Sequence, residues 1–100
     1  MPRTKKLVFE WDDANKGHIA RHHIAPEEVE HVISGASLPI ENEERSGEER
    51  YTELGETAEG RLLVVVWTWR AGKVRVVTAF PANRKWQALW RRINKEEPHA

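Results

Sequence analysis

The 100-residue chain has no cysteine, one methionine, one tyrosine and two phenylalanines. Without cysteine there is neither a disulfide framework nor a thiolate metal site, and a reducing compartment suits such a sequence. The longest apolar run, Leu62 to Trp67, is far too short to span a bilayer. The basic start Met1-Pro2-Arg3-Thr4-Lys5-Lys6 is followed by only Leu7-Val8-Phe9 before Glu10, too few apolar residues for a secretory signal. The expectation is a cytoplasmic protein with no membrane partner. The length supports one domain over residues 1–100, with flexible ends at 1–6 and 96–100.

Acid is missing where it matters most. The formal net charge is zero, yet residues 61–95 hold nine Lys/Arg and no Asp or Glu. Residues 41–60 hold eight Glu against two Arg. A long acid-free stretch creates a local positive field even in a neutral chain. Pairing of the acidic segment with the basic one would cancel part of that field.

Apolar periodicity gives the elements. Leu7–Trp11 has the alternation of a short strand, and Asp12-Asp13 can cap a helix over Ala14–His22. Pro26 suits a first helical position, with Glu27 and Glu28 at the positive end of the dipole and Gly35 as the stop. Leu38–Glu41 has strand character, and the polar stretch Asn42–Gly47 is expected to be a loop. Glu49–Gly55, Leu62–Arg70 and Val74–Phe80 follow as strands, joined by Thr57–Gly60 and by Ala71-Gly72. Short turns make these strands antiparallel. Asn83 can cap a last helix with Trp86, Leu89, Trp90 and Ile93 at helical spacing. The predicted fold is α+β: β-α-α, then an antiparallel meander and a C-terminal helix, with helices packed on one face of a single sheet.

The ordered pieces then resemble a known family. They are Phe9-Glu10-Trp11-Asp12 with Asn15, His18-Ile19-Ala20-Arg21-His22, and Ile24-Ala25-Pro26-Glu27-Glu28-Val29-Glu30. The second half adds Gly47-Glu48-Glu49-Arg50-Tyr51, Leu54-Gly55, Gly60-Arg61-Leu62-Leu63 and Val74-Arg75-Val76-Val77-Thr78-Ala79. Over residues 7–90 the chain resembles the BrnT toxins of type II toxin–antitoxin systems. That resemblance implies a compact RelE-like sheet and RNA cleavage that inhibits translation without a metal or other cofactor. It also implies neutralisation by a BrnA-type ribbon-helix-helix antitoxin, as a homodimer or a 2:2 complex. The sequence departs from the family pattern at four places. Phe80 stands where an Arg is common, Trp86 and Trp90 where Glu and Tyr are common, and His23 where Gly is typical. The alternative implied by these departures is a BrnT-like module that binds antitoxin or RNA without cleaving.

Metal-free RNA cleavage needs a base for the 2′-hydroxyl, a cation for the crowded phosphate and an acid for the leaving oxygen. His22 matches the family position for a base or acid, and a structural histidine linking the first helix to the next turn is the alternative. Arg75 alternates with valines, and Arg70 closes the neighbouring strand, so the two could clamp a phosphate across the hairpin. These three are the candidate catalytic residues. Arg50, Arg61, Arg84 and Lys85 are the candidate RNA-binding residues, and each of Arg50, Arg61, Arg70 and Arg75 could instead pair with Glu48, Glu49 or Glu53 on the adjoining strand. His18 and His22, spaced by one helical turn, could hold a metal, but no third ligand is signalled and none is assigned. Trp67 with Trp69, and Trp86 with Trp90, could stack bases or dock a partner. The simpler reading is that these two faces meet in one core.

Overall fold

The computed structural model describes residues 6–95. The chain ends 1–5 and 96–100, where flexible termini are expected, lie outside the described residues. The elements run β1 (Phe9–Glu10), α1 (Asp13–Ala20), α2 (Pro26–Ser34), β2 (Leu38–Arg45), β3 (Glu48–Glu56), β4 (Leu62–Arg70), β5 (Lys73–Pro81) and α3 (Arg84–Lys95). The strands form one open sheet in the order β1-β5-β4-β3-β2. β2 to β5 are an antiparallel meander. β1 joins β5 in parallel through Phe9↔Val74 and Glu10↔Arg75, which a helical crossover makes possible. The α+β reading therefore stands, with α1 and α2 on one side of the sheet.

Local chemistry fixes the helix starts. Asp12 Oδ1 accepts from the Asn15 amide at 3.0 Å, and Asn15 Oδ1 accepts from the Asp12 amide at 2.8 Å. This reciprocal box satisfies donors that the first turn leaves open. Asn15 Nδ2 also donates to the Glu10 carbonyl, tying α1 to β1. α1 stops at Ala20, so His22 lies in the following turn and not on the helix with His18. Pro26 opens α2 as expected, and Glu28 accepts from the Ala25 amide at 2.9 Å.

Two strand boundaries move as well. β1 is only Phe9–Glu10; Leu7 and Trp11 pack beside it without joining the ladder. The loop expected over residues 42–47 is mostly strand, because β2 continues to Arg45 in register with β3 down to Arg45↔Glu48. Backbone pairing holds this segment although Glu43 and Glu44 are exposed, so no apolar alternation announces it. The turn shrinks to Ser46-Gly47, both at positive φ, as are Ala71-Gly72 at the next hairpin. Such pairs match the twist of the flanking strands.

The core has two parts. α1 and α2 bring Ile19, Val29, Val32 and Ile33 onto Leu63, Val65, Trp67 and Val76 of the sheet. The helix comes very close here: a Cβ on Gly55 would stand 2.9 Å from Val32 Cγ1. Leu54, Val64 and Ala82 form a second cluster, against which Phe80, Trp86 and Trp90 pack. Val64 alternates with Leu63 and Val65, so the clusters use opposite side-chain directions along β4. This corrects the expectation for the tryptophans: Trp67 and the α3 pair belong to separate clusters.

Candidate functional site

The register aligns a charged row across all five strands. Glu43 pairs with Arg50, Arg50 with Thr68, Thr68 with Arg75, and Arg75 with Glu10. Partners in one row point to the same side of a pleated sheet. Arg50 and Arg75 thus flank Thr68, and Arg70 follows two residues later with the same direction. Lys73 stands opposite Arg70, and both are exposed at the hairpin end.

Arg75 is the most enclosed of these cations, its side chain 15% exposed. Its Nη1 lies 2.9 Å from Asp12 Oδ2 and 3.7 Å from Glu10 Oε1. The Asn15 amide first, and Arg75 second, hold the Asp12 carboxyl below the usual carboxylate range. Arg50 Nε and Glu10 Oε1 are buried without a hydrogen-bond partner. Such atoms are uncommon and mark places where polar chemistry is concentrated. Thr68 does not share that condition, because its hydroxyl donates to the Glu49 carbonyl at 2.6 Å. The acids beside Arg75 carry no signal in the sequence, since only the parallel β1–β5 pairing brings them there.

The other expected site residues lie elsewhere. Arg61 precedes β4 at its far end, and its two Nη atoms donate to the His22 and His23 carbonyls at 2.9 and 2.7 Å. The Glu28 carboxylate is 3.6 Å away. Its guanidinium therefore clamps the α1–α2 turn, where His23 adopts φ 59°. That left-handed backbone explains why glycine suits this place. The His22 ring sits 6.2 Å from the ring of Phe80. Phe80 and Arg75 are five residues apart on β5, roughly 16 Å along an extended strand. His22 and the Arg70–Arg75 pair are thus at opposite ends of the hairpin and do not form one cluster. Arg84 and Lys85 open α3, exposed, with Lys85 Nζ 5.0 Å from the Trp86 ring centre. Trp86 itself packs on the second cluster.

Among the described residues no group of three or more His, Asp or Glu is placed to hold a metal, and no helix is long and apolar enough to cross a membrane. The geometry offers two cationic ends on one sheet. At the hairpin end, cations and carboxylates stand side by side, the pairing that both phosphate binding and proton transfer use. No individually curated protein matches the chain. The family model described as ribonuclease toxin, BrnT, of type II toxin–antitoxin system matches residues 11–85. That stretch runs from the β1 exit through α1, α2 and strands β2 to β5 to the first turn of α3, and the protein belongs to the BrnT toxin family, with an antitoxin as its implied partner.

Proposed function

We propose that the protein is a metal-independent endoribonuclease that depresses translation, with its RNA-binding face on the Arg50–Thr68–Arg75 row. The observation that carries this reading is the placement of Arg50 and Arg75 on either side of Thr68, with Arg50 Nε buried and lacking an acceptor. A phosphate oxygen suits that donor. Arg70 and Lys73 extend the positive surface to the hairpin tip. In the reaction Arg75 stabilises the charge that grows on the scissile phosphate, and Glu10, 3.7 Å from it, takes the proton of the attacking 2′-hydroxyl. As the 2′-oxygen bonds to phosphorus the bond to the 5′-oxygen breaks, that oxygen leaving with a proton from water. His22, Arg84 and Lys85 contact RNA beyond the cleaved bond, while Arg61 keeps its place in the turn. The working location is the cytoplasm, and the partner is a BrnA-type ribbon-helix-helix antitoxin, with a homodimer or a 2:2 complex as the expected assembly.

One observation favours a second reading, a member that binds without cleaving. Phe80 fills the place of the family Arg and lies against His22, and Trp86 fills the place of the family Glu and packs inward. One assay separates the two. Purified protein is incubated with a structured RNA in the presence of EDTA, and products are tested for 2′,3′-cyclic phosphate ends. Cleavage that falls roughly 100-fold or more in Arg75→Gln and Glu10→Gln supports the enzyme. Salt-dependent binding without cleavage supports the module. Binding indifferent to salt and to Arg50→Gln defeats both.

A further inference from the structure

A second surface lies on the side-chain direction of Trp67 and carries the opposite sign of charge. Tyr51 and Trp67 stack with ring centres 4.7 Å apart and planes at 30°. Trp69 meets Trp67 edge-on at 5.0 Å and 85°. Trp67 is buried, but Trp69 is 47% exposed, an unusual cost for so large an apolar ring. These rings wall a groove of about 550 Å³ that follows β2 from Pro39 to Asn42. A second groove of about 410 Å³ shares Tyr51 and Trp69 and continues to the Ser46-Gly47 turn.

The polar lining decides what fits. Glu41 and Glu53 line the first groove, and Glu48 and Glu49 the second, against Arg70 as the cation among the described lining residues. Glu53 is buried at 3% exposure and accepts from Trp67 Nε1 at 3.1 Å and from the Ser37 hydroxyl. The field is felt locally: burial first, and Glu49 beside it, push the Tyr51 hydroxyl above its ordinary range. An RNA backbone would run along a lining that holds four glutamates against one arginine, so base stacking on Trp69 is disfavoured here. Aromatic faces beside carboxylates instead suit a guanidinium or ammonium group, which gains from the ring faces and the acids together. The groove runs beside the sheet-edge strand β2, so it offers length for an extended peptide rather than a socket for a small ion.

We propose that the Tyr51–Trp67–Trp69 groove is a docking site for an arginine- or lysine-bearing extended segment of the antitoxin, adjoining the RNA-facing row at Thr68 and Arg70. Its occupant follows from charge complementarity, and naming the antitoxin as its source rests on the toxin reading.

The test has two arms. In the first, ¹⁵N-labelled protein is titrated with the blocked peptide acetyl-Ala-Leu-Arg-Leu-Ala-amide, following the indole N–H signals. The expected result is a shift of the Trp67 and Trp69 signals that weakens with salt, and disappears when citrulline replaces arginine. Equal binding of the citrulline peptide, or shifts by a hexauridylate and not by the arginine peptide, overturns the proposal. So does tighter peptide binding by a variant lacking residues 1–5, which would give the groove to the chain's own basic start. In the second arm, affinity for a purified BrnA-type ribbon-helix-helix antitoxin is measured by calorimetry. Trp69→Ala and Glu49→Gln should each weaken it roughly tenfold, and unchanged affinity overturns the docking role. Growth arrest on expression is scored separately. Its absence counts against the toxin reading, while the two binding arms still decide the groove.

Discussion

Asp12 works in two directions at once: Oδ1 caps α1 through the Asn15 amide at 3.0 Å, and Oδ2 meets Arg75 Nη1 at 2.9 Å. One carboxylate therefore couples the start of the first helix to the strand that carries the central cation of the proposed RNA face. Disturbing it should register in stability and in the placement of Arg75 together.

Acid provides the first measurement. The Asp12 carboxyl is held below its ordinary range by the Asn15 amide and then by Arg75. A depressed carboxylate contributes stability that is fully present above its unfolded pKa of about 3.9 and is lost as pH falls through the lower folded value. Asp12→Asn keeps a capping oxygen but loses the charge. Urea unfolding should find the variant less stable at pH 7, with the gap closing below about pH 4. A gap that is constant with pH would show that the charge is not what Arg75 uses.

Gly55→Ala tests the close approach of α2 to β3. The new methyl would meet Val32 Cγ1 at 2.9 Å and Ser37 Cβ at 3.3 Å, both in packed surroundings. Overpacking of this kind costs about 1–3 kcal/mol. Chemical denaturation should show that loss, although alanine is otherwise the easier residue in a strand.

His23→Gly should move stability the other way. His23 holds φ 59°, where a side chain is penalised and glycine is not. Part of the relief is returned as backbone entropy of the unfolded chain, leaving a gain of about 0.5–1 kcal/mol. The thermal midpoint should rise, with RNA binding unaltered.

The arginines should separate into two classes. Arg50→Gln should weaken RNA binding and flatten its salt dependence by about one phosphate contact. Arg61→Gln removes donors from the His22 and His23 carbonyls and should lower stability by about 1 kcal/mol while leaving RNA affinity near wild type. Nitrocellulose filter binding across a salt series, paired with unfolding curves, distinguishes them.

Much of this architecture was legible from residue order. The limits of β4 fall at Leu62 and Arg70 as read, because a dense β-branched and aromatic run is bounded by turn residues on both sides. Pro26 and Gly35 bracket α2 for the same kind of local reason. What could not be read depended on neighbours. The extension of β2 to Arg45 rests on its ladder with β3, and exposed glutamates give no period-2 signal. The separation of His22 from Arg75 is set by where the α1–α2 turn docks along β5, which periodicity does not encode. Alternation did point Arg75 away from the valines, but Asp12 and Glu10 became its neighbours only through the parallel β1–β5 pairing.

The outermost strand has a bearing on how the protein behaves at high concentration. β2 ends the sheet with no described strand on its outer side, and Glu41, Glu43 and Glu44 are three of its eight residues. Two copies meeting there in antiparallel fashion would bring like charges face to face, so growth into strand-on-strand aggregates is opposed by repulsion. Replacing these glutamates with neutral residues would strip that safeguard from a surface whose hydrogen-bonding capacity remains intact.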